Sequence, residues 1–326
     1  MRRRSLLVAF GAGALAVPLG LFAQQPPKVA RIGFLGSALA SSFAKQVEAL
    51  RAGLRDLGYV EGRNMLIEFR WAEGKYERLP ELAAELVNLK IDVLVTHGIP
   101  GTRAAKLTTS KIPIVMAIAG DAVATGLVAS LARPGGNITG SSYFLPQLNA
   151  KRLELLKEAL PHVTQVAALF NPSNPISSPN IQAMGLAAKA LKLELQQFKV
   201  PGPKEFEMAF SAMAKKRVDA VAITEDGEFA AYAKGIADAA LRQRLPSTGS
   251  KEFAEAGGLI GYGVNLLDIF RRGAYFVDRI LKGAKPGELP VEQATKFELV
   301  VNLKTAKALG LAISKELLFR ADKVIE

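Results

Sequence analysis

The stretch Arg31-Ile32-Gly33-Phe34-Leu35-Gly36-Ser37-Ala38 constrains this chain most. Arg31 to Leu35 reads as a short buried strand that stops at Gly36-Ser37. Phe43, Val47, Leu50, Leu54 and Leu57 then recur on one face of a helix. Ser41 or Ser42 can cap the start of that helix and Gly58 can end it. Strand, small-residue turn and helix make the first half of a βαβ unit. The turn falls at the strand's C-terminal end, where open α/β sheets bind ligands. The same grammar returns mid-chain. Gln165 to Phe170 is apolar, Asn171-Pro172-Ser173-Asn174-Pro175 breaks it, and Ile181, Met184, Ala188 and Leu191 follow with helical spacing. Two such units, each opening a run of βα repeats, predict an α/β protein of two doubly wound parallel-sheet lobes that face each other.

The intervening chain keeps to this alternation. Asn64 to Trp71 alternates as a strand, and Leu79, Leu82, Leu86 and Leu89 mark a helix face. Ile91 to Thr96 is a continuous apolar strand of the parallel, doubly covered kind, ending at His97-Gly98. Ile112 to Ala117 is the next, ending at Ala119-Gly120-Asp121. Arg133-Pro134-Gly135-Gly136-Asn137 is the clearest turn cluster, and the first lobe boundary is placed there. Beyond it, strands are read to end at Ser141-Ser142-Tyr143, Asn171, Glu225-Asp226 and within Gly257 to Gly263, with a strand and helix from Lys296 to Leu309 closing the chain.

The chain of 326 residues suits about two domains. It has no cysteine, which removes disulfides, thiolate metal sites and a cysteine nucleophile. With two distant histidines, His97 and His162, a transition-metal site is not expected, nor is a cofactor. The net charge is +12. Arg2, Arg3 and Arg4 belong to an expected signal peptide spanning residues 1–25: a charged start, an apolar stretch from Leu6 to Phe22, then Ala23. Arg3-Arg4-Ser5-Leu6-Leu7 resembles a twin-arginine signal. The remaining Lys and Arg are scattered over helix faces, so no nucleic-acid partner is expected.

The strand-end residues form the candidate binding set: Gly36, Ser37, Thr96, His97, Gly98, Asp121, Ser142, Tyr143, Asn171, Asn174, Glu225, Asp226 and Tyr262. If the lobes face each other, these ends converge on one cleft. Helix starts after Gly36 and Gly98 offer N–H groups to a carboxylate. Asp121, Glu225 or Asp226 can hold an ammonium. Trp71 and Tyr262 are candidates to stack on a ligand. No nucleophile elbow, P-loop or dinucleotide fingerprint follows a strand, so an enzyme is not expected.

Four long stretches resemble the ABC-transporter substrate-binding family that includes tryptophan- and tyrosine-binding members. They are Leu54 to Gly62 (LRDLGYVEG), Trp71 to Pro80 (WAEGKYERLP), Gly126 to Gly140 (GLVASLARPGGNITG), and Leu289 to Gln293 with Asn302 to Lys307. The resemblance implies a type I periplasmic-binding fold with a hinge and three crossover strands. The expected division is residues 28–137 with about 251–283 in one lobe, and 138–250 with about 284–326 in the other. It implies a monomeric periplasmic receptor that delivers a small organic molecule to membrane permease subunits. One departure stands out: many relatives carry Thr-Pro or Ser-Pro after a small or apolar residue where this chain has His97-Gly98-Ile99-Pro100. The alternatives are an α/β enzyme acting on a small metabolite in the same cleft, with Asp121 or Glu225/Asp226 as base, and the ligand-sensing domain of a regulator.

Overall fold

The computed structural model describes residues 29–143 and 145–326. The expected signal peptide lies outside the described residues. Among them, no helix is long and apolar enough to cross a membrane.

The chain opens with β1 (Ala30–Gly36), α1 (Ala44–Asp56), β2 (Met65–Trp71), α2 (Leu79–Asn88), β3 (Val93–His97), α3 (Gly98–Thr108), β4 (Ile114–Gly120) and β5 (Ile138–Tyr143). It continues with α4 (Leu145–Ala159), β6 (Gln165–Phe170), α5 (Ser177–Ala190), β7 (Glu194–Lys199), α6 (Phe206–Lys215), β8 (Ala220–Ile223), α7 (Gly227–Ala231), α8 (Ala233–Arg242), β9 (Ser247–Gly249), α9 (Lys251–Glu255) and β10 (Ile260–Val264). Last come α10 (Leu266–Leu281), β11 (Glu292–Gln293), β12 (Phe297–Asn302), α11 (Leu303–Leu309), α12 (Lys315–Phe319) and β13 (Lys323–Ile325).

These strands form two sheets, ordered β11-β5-β4-β3-β1-β2 and β13-β12-β10-β9-β8-β6-β7. The first is parallel throughout. The second is parallel except where β10 meets β12. Each sheet carries a core on both faces. Ile32 and Phe34 of β1 join Val47, Leu50 and Leu54 of α1 on one face, while Leu35 joins Leu82 and Leu86 of α2 on the other. Strand alternation thus feeds two cores at once, which is why these strands read as unbroken apolar runs. Each fully buried Leu or Phe contributes about 2 kcal/mol.

The predicted α1 face is buried from Phe43 to Leu54, but Leu57 is exposed. Neither Ser41 nor Ser42 caps α1: a 3-10 turn, Ala40–Phe43, leads into it without a side-chain cap. Gly58 sits beyond its end at φ 90°, as its position required.

The turn cluster at 133–137 is not a lobe boundary. β5, which follows it, hydrogen-bonds beside β4 in the first sheet. Gly140 is required there, because a Cβ on it would lie 2.0 Å from the Met116 carbonyl oxygen. β10, expected in the first lobe, belongs to the second sheet, and β11, expected in the second lobe, pairs with β5 in the first. Among the described residues, the chain passes between the sheets at three places: between β5 and α4, between β10 and α10, and between β11 and β12.

Candidate functional site

A doubly wound sheet opens a crevice where its strand order reverses direction. In the first sheet that point lies between β1 and β3, in the second between β6 and β8. The ends of these four strands and the loops after them carry Ser37, His97, Asn174, Glu225 and Asp226, and all five line one cavity of about 660 Å³ between the lobes. The volume suits a small organic molecule.

The first lobe contributes rings and backbone. The register of β3 against β4 slips by one residue between Thr96 and His97, a bulge that re-aims the strand end. The His97 ring stacks on Phe43 with centroids 4.1 Å apart, and Phe34 and Phe270 lie near it. The Ser37 N–H donates to His97 Nε2 at 3.3 Å. Burial lowers the His97 pKa to about 4, so the imidazole is neutral at physiological pH and sits as a ring among rings. Gly98, at φ 70°, opens α3 into the cavity, and Tyr143 lines it with a phenol held protonated by burial and by Glu225.

The second lobe contributes charge. Asp226 caps α7, accepting from the Glu228 and Phe229 N–H groups at 2.9 and 3.4 Å. Asn171 and Asn174 donate their amides to the same carboxylate at 3.3 and 2.9 Å. The Tyr76 hydroxyl donates to its Oδ2 at 2.9 Å from the opposite lobe. Glu225 pairs with Arg152, whose side chain is 2% exposed and whose Nη1 lies 2.6 Å from Glu225 Oε2. Arg152 Nε also donates to the Tyr262 carbonyl at 2.7 Å. Lys251 pairs with Glu298 at 2.8 Å. Glu252 lines the cavity as well, with its pKa raised by burial.

Around Asp226 the two lobes touch. A Cβ on Gly227 would lie 3.1 Å from Ser37 Oγ, and one on Gly74 would lie 2.8 Å from Glu228 Oε1. Burial there, with Asp226, Glu205 and Glu77 close by, raises the Glu228 pKa to about 7.

Of the thirteen candidates, Ser37, His97, Gly98, Tyr143, Asn174, Glu225 and Asp226 line the cavity. Six serve the walls instead. Gly36 is covered by the Trp71 ring, which a Cβ would meet at 2.0 Å. Thr96 Oγ1 donates to the Leu35 carbonyl. Asp121 accepts the Ala124 N–H at 3.0 Å, and Ser142 Oγ accepts the Ala122 N–H at 3.2 Å, so both shape one turn after β4. Asn171 holds Asp226 from behind, and Tyr262 stacks on Phe297. Trp71 and Tyr262 are thus spent on packing rather than on the cavity. Glu225, expected as an ammonium partner, already has one in Arg152. Arg152, Tyr76, Phe43 and Gln46 line the cavity but were not among the candidate residues, because they lie on helices or turns away from any strand end. Among the described residues, no group of three or more His, Cys, Asp or Glu side chains is placed to hold a metal.

The comparisons with known proteins agree with this architecture. A "tyrosine-binding protein" of Clostridioides difficile is 27% identical over 271 residues, 83% of this chain and 78% of its own length. A crystal structure of an ABC domain in complex with L-Trp, from Streptococcus pneumoniae, superposes with a TM-score of 0.84 at 27% identity, covering 91% of this chain and 99% of its own. A conserved domain protein from Vibrio cholerae gives a TM-score of 0.85 at 28% identity, covering 91% and 100%. The profile described as "ABC transporter substrate binding protein" matches residues 37–325. That match spans most of the chain, and the chain belongs to the ABC transporter substrate-binding protein family.

Proposed function

We propose that this protein is the extracytoplasmic receptor of an ABC importer, and that it captures a small aromatic amino acid by closing its two lobes. The observation that carries this reading is the charge balance of the cleft. Arg152 is matched by Glu225, and Lys251 by Glu298. The Asp226 carboxylate is held by neutral donors alone: two asparagine amides, one tyrosine hydroxyl and two backbone N–H groups. A buried negative charge without a cation favours a ligand that brings one. An ammonium supplies it, and the open start of α3 beside Gly98 suits the accompanying carboxylate. Phe43, Tyr76, His97, Tyr143 and Phe229 line the remaining space with rings.

The relatives named for tyrosine and bound to L-Trp support the amino-acid class, and the contacts of Tyr76 and Ser37 with the second lobe support a closure about three crossings. An expected signal peptide supports the periplasm and a permease partner in the membrane. Closure stores the ligand only if it binds the closed arrangement better than the open one. Calorimetric titration of the mature chain with L-tryptophan, L-tyrosine, L-phenylalanine and 3,4-dihydroxybenzoate tests the reading. Micromolar binding of at least one amino acid is expected, with the benzoate much weaker. Binding of the benzoate alone would overturn it.

A further inference from the structure

Almost every buried polar side chain facing the cleft is already committed to a partner within the protein. Among the described residues, the buried side-chain atoms left without a hydrogen-bond partner belong to Gln46, Asn149, Arg152, Asn180 and Thr248. Of these residues, Gln46 and Arg152 line the cavity. The Arg152 atom lies in ion-pair contact with Glu225. Gln46 has no such explanation. It is 9% exposed, and its Oε1 accepts nothing.

Its placement sharpens the question. Gln46 lies on the buried face of α1 with Val47, Leu50, Gly53 and Leu54, where every other side chain is apolar or absent. One turn earlier stands Phe43, stacked on His97, and the apolar Ile118 and Leu266 line the same cavity. An amide carbonyl buried in such a wall is costly while its hydrogen bond goes unmade. A methionine of similar volume fills the space without that cost. The polar group is useful there if the ligand satisfies it.

We propose that Gln46 is a specificity-determining residue of the first lobe: its side-chain carbonyl accepts a hydrogen bond from an N–H or O–H group on the ligand's ring, selecting phenol or indole side chains over a bare phenyl. This inference rests on the aromatic amino-acid reading of the cleft. Ring shape is read by Phe43 and His97, and the ring's polar edge by Gln46. A site built to meet such a donor rejects the analogue that lacks it, because the carbonyl then stays unpaired.

The test is calorimetric titration of the mature chain and of Gln46→Met with L-tyrosine, L-tryptophan and L-phenylalanine. The wild-type protein is expected to bind tyrosine or tryptophan about tenfold or more tightly than phenylalanine. In Gln46→Met that preference should shrink to within about threefold, with phenylalanine bound as well as before or better. A melting temperature for Gln46→Met equal to or above wild type shows that the wall is intact. An unchanged preference in Gln46→Met, or no wild-type preference over phenylalanine, overturns the role of Gln46 alone. Failure of all three amino acids to bind the wild-type protein overturns the ligand class, and this inference with it.

Discussion

The two walls of the cleft solve different problems. The first lobe presents Phe43, Tyr76, His97, Ile118 and Tyr143, with Lys45 as an exposed charge at its edge. Burial keeps even its histidine neutral. The second lobe presents Arg152, Glu225, Asp226, Lys251 and Glu252. On the proposed function this contrast divides recognition in two: the charged wall would hold the zwitterion, and the neutral wall would select the side chain that fits beside it. The contrast has a cost: charges inside a cleft must be matched within their own lobe, or they destabilise it before any ligand arrives.

The largest effect should come from unbalancing the charged wall. Arg152→Met leaves the part-buried Glu225 without its cation and should cost about 2–3 kcal/mol of folding stability, below the ~3–5 kcal/mol of a fully buried pair, read by denaturant unfolding. Adding Glu225→Gln should recover most of it; no recovery would mean that Arg152 acts through packing instead. Next, Asp226→Asn removes the unmatched charge while keeping much of its hydrogen bonding. It should weaken amino-acid capture about ten- to a hundredfold by calorimetry, the scale of a charge-assisted bond. Equal affinity would place the ammonium elsewhere.

A smaller effect is expected at the seam between the walls. Tyr76→Phe removes the hydroxyl that reaches Asp226 across the cleft, and should weaken capture about fivefold, near the worth of one hydrogen bond. The smallest concerns Glu228. Its pKa is raised to about 7 where the lobes touch, from an ordinary carboxylate value of 4.5. A raised carboxyl pKa means that the ionised form is penalised in the touching state. The penalty is full above about pH 7 and gone below the ordinary value, so the closure proposed here would take up a proton and affinity would rise as pH falls. The share that comes from the opposite lobe, Glu77 and the Gly74 backbone, is relieved on opening. A gain of about threefold in affinity from pH 8 to pH 5 is expected, and Glu228→Gln should flatten it. A wild-type pH slope that survives in Glu228→Gln would assign the proton to another group.

Much of this was legible before any coordinates. The Arg31 and Gln165 strands, their turns and their helices appear where periodicity put them, because apolar spacing reports directly which faces are buried. The strand-end rule also pointed to Ser37, His97, Asn174 and Asp226, which line the cavity. It failed for side chains that a strand end turns into the wall. Asp121, just after β4, and Ser142, near the end of β5, close a turn with their polar groups, although Gly120 and Tyr143 beside them line the cavity. The lobe boundary at residues 133–137 failed for a related reason: a turn rich in Pro and Gly marks a change of direction, not a change of sheet.

Arg152 and Tyr76 show the limit most clearly. Arg152 sits among leucines and other charges on α4, where sequence alone reads it as one more solvated helix side chain. Only the fold places it against Glu225, 73 positions away. Tyr76 meets Asp226 across 150 positions and two lobes. The sequence by itself determined the units, because burial periodicity is local and depends on neighbours three or four residues away. The tertiary structure alone decided which strand ends meet, which charges pair and where Gln46 faces, because those follow from strand order and three crossings that no local pattern encodes.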